Sequence, residues 1–392
     1  MDKKQTFIVG IKEQPFTELL PGTVVKDINT LLKTISKTKL PLTPKKTSIA
    51  NDLLPSLNES MVNPHKVNIP VKISVSLFPN MKGLYLLLRA SNLTKVELVK
   101  LPVLSLHKSH YAQWEKLNTT EQFVWLLESW ILRGHPEIIG EGRDISRNIS
   151  DWIYFGMACF KKAWVNTDGR SNVKYSPGYV NIALMQLFGF IDVSENKTDS
   201  KERNIHKITL TNFGRSYFGS INEIFDELDW LFEPEVLISP IKDNLIDVKK
   251  SITLQKSSAL KGSVVFEISL GRCKRKIELP VNNSLGLLFH EIIEVFDFDY
   301  DHLYEFRIKN QAGITQEYGH SHLDSCDEYA DDVKLSDLEL TIGQEFKLIY
   351  DFGDNWQFKI KLIAINMDST IKKAILLEKR GEAPEQYPNW DE

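Results

Sequence analysis

Cysteine is scarce: Cys159, Cys273 and Cys326 are spread over 392 residues and never form a Cys-x-x-Cys pair. That excludes a disulfide framework and a cysteine-based zinc site. No stretch approaches the ~18 uninterrupted apolar residues of a membrane span, so no membrane partner is expected. The first residues, MDKKQTFIVGIKEQPF, lack the apolar core and small-residue cleavage site of a secretory signal, which predicts a cytoplasmic protein. There is no Walker loop, no Gly-x-Gly-x-x-Gly after a strand, no Gly-x-Ser-x-Gly elbow and no paired Cys-His set. No reaction is therefore legible from a motif, which leans the reading away from an enzyme.

What is present fits a packed globular chain, with 42% apolar, 26% charged and 10% aromatic residues. At roughly 100 to 200 residues per domain, the length predicts about two to four domains. The formal net charge of -4 hides an asymmetry. Residues 1–261 hold 34 Lys and Arg against 27 Asp and Glu, and residues 262–392 hold 14 against 25. A basic part followed by an acidic one suggests separate domains facing different partners, or only solubility charge on solvated faces.

Residues 1–75 read as an N-terminal extended connector, with five prolines between residues 38 and 70 and one short helix near Ser48 to Leu57. Residues 76–233 read as a helical region. Leu84, Leu87 and Leu88 share a helical stripe before a break at Ser91-Asn92. Val180, Ala183, Leu184, Leu187 and Phe188 share another, ended by Gly189. In each case a strand, a polar loop, a strand and a helix follow, the winged-helix order. The region is thus expected to hold two degenerate winged-helix-like units. Between them, Thr119, Thr120, Glu121 and Gln122 can start a helix with Phe123, Leu126, Leu127, Trp130 and Ile131 facing a core. Residues 234–261 read as a linker.

After Gly262 the pattern alternates. Phe266/Ile268/Leu270 and Ile277/Leu279/Val281 read as paired strands joined at GRCKR, and a helix follows from a Ser284 cap. LYEFRI, EFKLIYD and WQFKIKL read as further strands. The fold class expected is α+β multidomain, with a mainly α front part and a β-grasp-like α+β domain over residues 262–392. In YDFGDNWQFKI, Gly353-Asp354-Asn355 is a turn suited to positive φ. Asp351 and Asp354 suit hydrogen bonds to turn amides, and Trp356 packs beneath the hairpin or stacks on a ligand.

LYEFRI, the acid-rich loop, LSDL, FKLIYDFGDNWQFKI and the late GEAPEQY together resemble the plasmid pRiA4b ORF-3-like family, whose hallmark is a YDFGDxW hairpin followed by a Gly-x-x-Pro-x-Glu segment. The resemblance covers about residues 262 to 387. It implies a compact α+β domain found on plasmids and other mobile elements, and carries no established activity. Family members often have His where this chain has Phe358, and YPNWDE replaces their closing Gly-Gly segment.

Two candidate sites follow. His320, His322, Asp324 and Asp327, with Cys326, Asp331 and Asp332 in the same loop and Asp351 and Asp354 elsewhere, could hold a divalent cation, or form a solvated acidic loop. The alternative function is accordingly a metal-dependent hydrolase or nuclease using loop 320–332 and Asp351/Asp354. For nucleic acid, Lys197, Lys201, Arg203 and Lys207 of the second wing and Arg215 after it permit phosphate contacts, with Asn181 and Gln186 the base-reading groups of the preceding helix. The first copy adds Lys82, Arg89, Lys95, Lys100 and Lys108. The leading expectation is a non-enzymatic binding protein or adaptor, without a cofactor, whose winged-helix-like units contact nucleic acid or a protein and whose acidic domain contacts a protein.

Overall fold

The computed structural model describes residues 3–66, 73–98, 101–142, 145–166, 172–195, 205–227, 234–254, 260–323 and 326–387. The chain forms two compact units, Met1–Leu254 and Gln255–Glu392. Helices dominate the first and one large sheet the second. No helix among the described residues is long and apolar enough to cross a membrane.

The first unit runs α1 (Lys3–Lys12), α2 (Val24–Lys37), β1 (Leu40–Pro41), α3 (Leu54–Glu59), α4 (Pro79–Ala90), β2 (Thr94–Leu98), β3 (Pro102–Leu106), α5 (Lys108–Trp114) and α6 (Thr119–Arg133). It continues with α7 (Ile145–Lys161), β4 (Trp164–Val165), α8 (Tyr179–Leu187), β5 (Ile191–Glu195), β6 (Ile205–Leu210), α9 (Asn212–Glu227) and α10 (Ser239–Lys242). Two small antiparallel sheets share one plan, β1-β3-β2 and β4-β6-β5, with the second strand of each hairpin central. Helix, short strand, helix and hairpin therefore occur twice.

The helices leading into the two hairpins, α4 and α8, pack against each other. Leu84, Leu86, Leu87 and Leu88 of α4 and Ile182, Ala183, Leu184 and Met185 of α8 are at most 1% exposed. Gly83 makes the approach close: a Cβ there would stand 2.9 Å from Leu184 Cγ. Behind α8, Trp130 of α6 and Trp152 of α7 stack at 4.2 Å, and Phe188 and Phe190 extend the aromatic layer.

Three expectations need correction here. Residues 1–75 are more than a connector. In α2, Val24, Val25, Ile28, Leu31, Leu32 and Ile35 all face the core, an amphipathic period of 3.6 that the surrounding prolines obscured. The helix α6 is capped by Asn118, whose side chain accepts from Glu121 N while Glu121 accepts from Asn118 N; the box begins one residue before the threonines. Residues 234–254 are packed rather than linking. Leu237 and Ile241 are fully buried, Tyr217 donates to Leu237 O, and Glu121 accepts from the amides of Lys249 and Lys250. Proline and lysine in that segment report a broken, solvated chain, yet its backbone is satisfied by the helical unit.

The second unit runs β7 (Ser263–Leu270), β8 (Cys273–Pro280), α11 (Leu285–Phe296), β9 (Tyr304–Lys309), β10 (Thr315–Gly319), β11 (Glu328–Tyr329), β12 (Glu345–Tyr350), β13 (Trp356–Asn366) and β14 (Ile375–Arg380). Its sheet has the order β11-β10-β9-β12-β13-β7-β8-β14. Leu270 pairs with Cys273 across a two-residue turn in which Gly271 takes φ 58. Ser284 caps α11 by accepting from Leu287 N, and Leu285, Leu288, Phe289, Ile292 and Phe296 share one core with Phe266, Phe306, Leu348 and Ile360. Phe358 is fully buried there, edge-on to Phe296 and Phe298.

Candidate functional site

One end of the C-terminal sheet gathers most of the polar and aromatic groups of interest. Tyr350 at the end of β12 pairs with Tyr304 at the start of β9, and Tyr304 O accepts from His320 N just beyond β10. The FGDN turn and the acidic loop thus lie on the same sheet end, about two strand spacings or ~10 Å apart.

The turn is organised by Asp351. Its Oδ1 accepts from Gly353 N at 2.9 Å and Asp354 N at 3.3 Å, and its carbonyl accepts from Asn355 N at 2.6 Å. Within the Gly353-Asp354-Asn355 turn positive φ falls at Asn355 (56), and it falls also at Asp351 (54), whose side chain bonds the turn amides, while Gly353 does not take it. Asp354 is exposed. Trp356 packs edge-on to Phe298 at 5.1 Å beneath the hairpin.

Around this turn the fold brings together residues that the sequence reading passed over: Asp301, His302, Gln386 and Tyr387. Tyr387 donates its hydroxyl to both Asp301 oxygens, at 2.9 and 2.8 Å, and Tyr350 donates to Asp299 O and to Asp301 Oδ1. Gln386 accepts from Asp299 N and donates to Tyr387 Oη. His302 Nε2 stands 3.6 Å from Asp301 Oδ1 and 3.4 Å from Asp351 Oδ2, between two carboxylates. The Tyr387 hydroxyl holds the Asp301 carboxyl below the usual range, aided by Tyr350 and His302. Desolvation, and the bond given to Asp301, push the Tyr387 phenol up. Buried Arg275 supports the segment from behind, donating to Val295 O at the end of α11 and to the carbonyls of Arg380 and Gly381. Asp301 and His302 lie in the dense string DFDYDHLY before a strand, which no spacing rule covers, and Gln386 and Tyr387 close the GEAPEQY segment.

The surface is aromatic and acidic. Tyr300 is 51% exposed, Phe352 47% and Tyr387 50%, among Asp299, Asp301 and Asp354. It offers carboxylate acceptors and ring faces; the hydroxyls of Tyr300, Tyr350 and Tyr387 are spent on His290 O, Asp299 O and Asp301, and no Ser or Cys nucleophile stands among these groups.

The expected metal ligands are placed as follows. His320 Nδ1 accepts from His322 N, and the two rings lie edge-on at 4.8 Å. Asp327 Oδ2 accepts from Glu317 N. Asp324 lies outside the described residues, among which no three His, Cys, Asp or Glu side chains converge as metal ligands.

Of the expected nucleic-acid contacts, Lys207 on β6 and Arg215 on α9 are exposed, while Lys197, Lys201 and Arg203 lie outside the described residues. Asn181 is not available to read bases. It is 5% exposed and spends both amide protons on Asn148 Oδ1 and Pro177 O. In the first copy Arg89 is buried and donates to Tyr85 Oη, Lys82 is paired with Glu141 at 2.7 Å, and Lys95 stands 3.5 Å from Glu97. Lys108 is exposed, and Lys100 lies outside the described residues.

Comparison with known proteins matches part of the chain. The uncharacterized protein y4hQ of Sinorhizobium fredii is 31% identical over 113 residues, 28% of this chain and 56% of that one, so the chain spans about half the length of the curated relative it matches. A crystal structure of a protein of unknown function from Methanosarcina mazei Go1 shares 27% identity over 33% of this chain and 76% of that one, with a TM-score of 0.29. The segment that supplies every residue of the aromatic and acidic sheet end, residues 263–387, matches the family described as plasmid pRiA4b ORF-3-like protein.

Proposed function

We propose that the protein is a binding protein or adaptor without a reaction centre. Its aromatic and acidic sheet end docks a basic segment of a protein partner, and its two winged-helix-like units serve as a docking scaffold. The β-grasp-like C-terminal unit is the recognition module in this reading. Association with a mobile element or its host rests on the family's plasmid description.

The observation that carries the reading is the exposure of Tyr300, Phe352 and Tyr387 around an ionised, phenol-bonded Asp301, where the YDFGD and GEAPEQY segments meet. Solvent-facing aromatics are the residue type enriched at the centres of protein interfaces, and a fixed carboxylate among them selects cations. For the front unit, the support is the mutual burial of α4 and α8. In a winged-helix reader these are the helices offered to base edges, and here they face each other. The hydrolase alternative asks His320, His322, Asp327 and the hairpin aspartates to share one ion.

Affinity capture with the wild-type chain and with a Phe352→Ala/Tyr387→Ala variant tests this. The reading expects a basic protein retained by the first and lost from the second. It also expects binding to duplex DNA, if measurable, to fall with salt and show no sequence preference. Selection of a defined sequence from a random duplex pool would refute it.

A further inference from the structure

The first unit contains a cavity of about 400 Å³ between the first turns of α4 and α8. That volume lies within the range of small-ligand pockets, roughly 300–1,000 Å³. Pro79 and Lys82 of α4, Val180 and Asn181 of α8, and Asn148 of α7 line it, with Lys174 and Tyr175 from the segment before α8.

Its electrostatics favour an anion. The helix α8 starts from Gly178 without a side-chain cap, and Tyr179, Val180 and Asn181 of its first turn line the cavity, so one set of first-turn amides and one positive dipole end face that space. A second observation is independent of the helix ends. Asn148 is only 8% exposed, and its Oδ1 accepts from Asn181 Nδ2 at 2.9 Å. Asn181 gives its other amide proton to Pro177 O, which sets the orientation of both amides. The Asn148 amide nitrogen is left with no hydrogen-bond partner among the described residues, on the wall of the cavity. Lys82 adds a largely buried ammonium, held by Glu141 at 2.7 Å, and Lys174 lies 5.9 Å from the ring of Tyr175. Tyr175 is 67% exposed at the edge of the cavity, a flat ring facing solvent beside an anion-attracting interior.

We infer that this cavity binds a phosphomonoester carried on a flat ring, a ligand of the nucleoside monophosphate class. The phosphate takes the first-turn amides of α8, the Asn148 amide and Lys82, exchanging one carboxylate partner of Lys82 for another anion, with the Lys174 ammonium of the cavity wall beside it, and the ring lies on Tyr175. The inference is independent of the partner surface on the C-terminal unit.

Isothermal titration of the full chain with AMP, adenosine and inorganic phosphate provides the test, alongside Lys174→Ala and Tyr175→Ala. Both side chains are exposed, so circular dichroism should confirm an unchanged fold. AMP is expected to bind, adenosine at least about tenfold more weakly, and each variant should lose about tenfold in AMP affinity. Absence of AMP binding at about millimolar concentration overturns the inference. So does AMP affinity indifferent to both substitutions, or phosphate alone binding as tightly as AMP.

Discussion

Asp27 shows how a single carboxyl can set the pH response of the helical unit. It is 1% exposed on the first turn of α2, where its Oδ1 accepts from Val62 N at 2.8 Å and its Oδ2 from the Thr23 hydroxyl at 2.7 Å. Burial raises its pKa above the ordinary value, and those two bonds offset only part of the rise. Because the folded value lies above the unfolded one, the folded state holds the proton more tightly. The associated stability is full below the unfolded pKa and is lost as pH rises through the raised folded value. Asparagine keeps an acceptor for Val62 and carries no charge. Asp27→Asn should therefore gain in stability relative to wild type as pH increases from about 4 to 7, measured by urea unfolding. A difference that stays flat with pH would count against a raised Asp27. Asp351, by contrast, was legible from the sequence as a turn organiser, since short acidic side chains at turns bond nearby amides regardless of the rest of the fold. Nothing local marked Asp27, whose backbone donor lies at residue 62.

The pairing of α4 with α8 turns two weakly amphipathic helices into a core. In the sequence each reads as a helix with one apolar stripe, Leu84, Leu87 and Leu88 in one and Val180, Ala183, Leu184, Leu187 and Phe188 in the other, which announces a buried side without naming the neighbour. Leu184 is fully buried against Gly83, so Leu184→Ala should cost about 2–5 kcal/mol. Gly83→Ala places a methyl group against Leu184 and should cost about 1–3 kcal/mol. Combined, the added methyl enters the space the leucine vacates, and the double variant should lose less than the sum, read from a denaturant double-mutant cycle. Strict additivity would mean the helices do not touch there. The strands of the C-terminal unit were more readable than these helices. Alternation over Phe346/Leu348/Tyr350 and Trp356/Phe358/Ile360 specifies face and register locally, and the structure pairs Leu348 with Phe358 and Tyr350 with Trp356.

The whole chain is two cores with opposite charge. The residues buried in the C-terminal core run from Val264 to Leu362 and close on one another. Residues 260–392 expressed alone should accordingly unfold in one cooperative transition, seen by calorimetry, whereas a fragment lacking a heat-absorption peak would show that the core needs the helical unit. The charge division, most helices and strands, and the YDFGDNW hairpin were readable along the chain, because composition, periodicity and turn chemistry act over a few residues. The docking of residues 234–254, the mutual burial of α4 and α8, and the meeting of Asp301 with Tyr387 were not. Tyr387 lies 86 positions from its carboxylate partner, and Leu184 is as remote from Gly83 in sequence as it is close in space. Contacts of that separation are set by how complete elements pack, and a period of two or 3.6 residues says which side of an element is buried without saying against what.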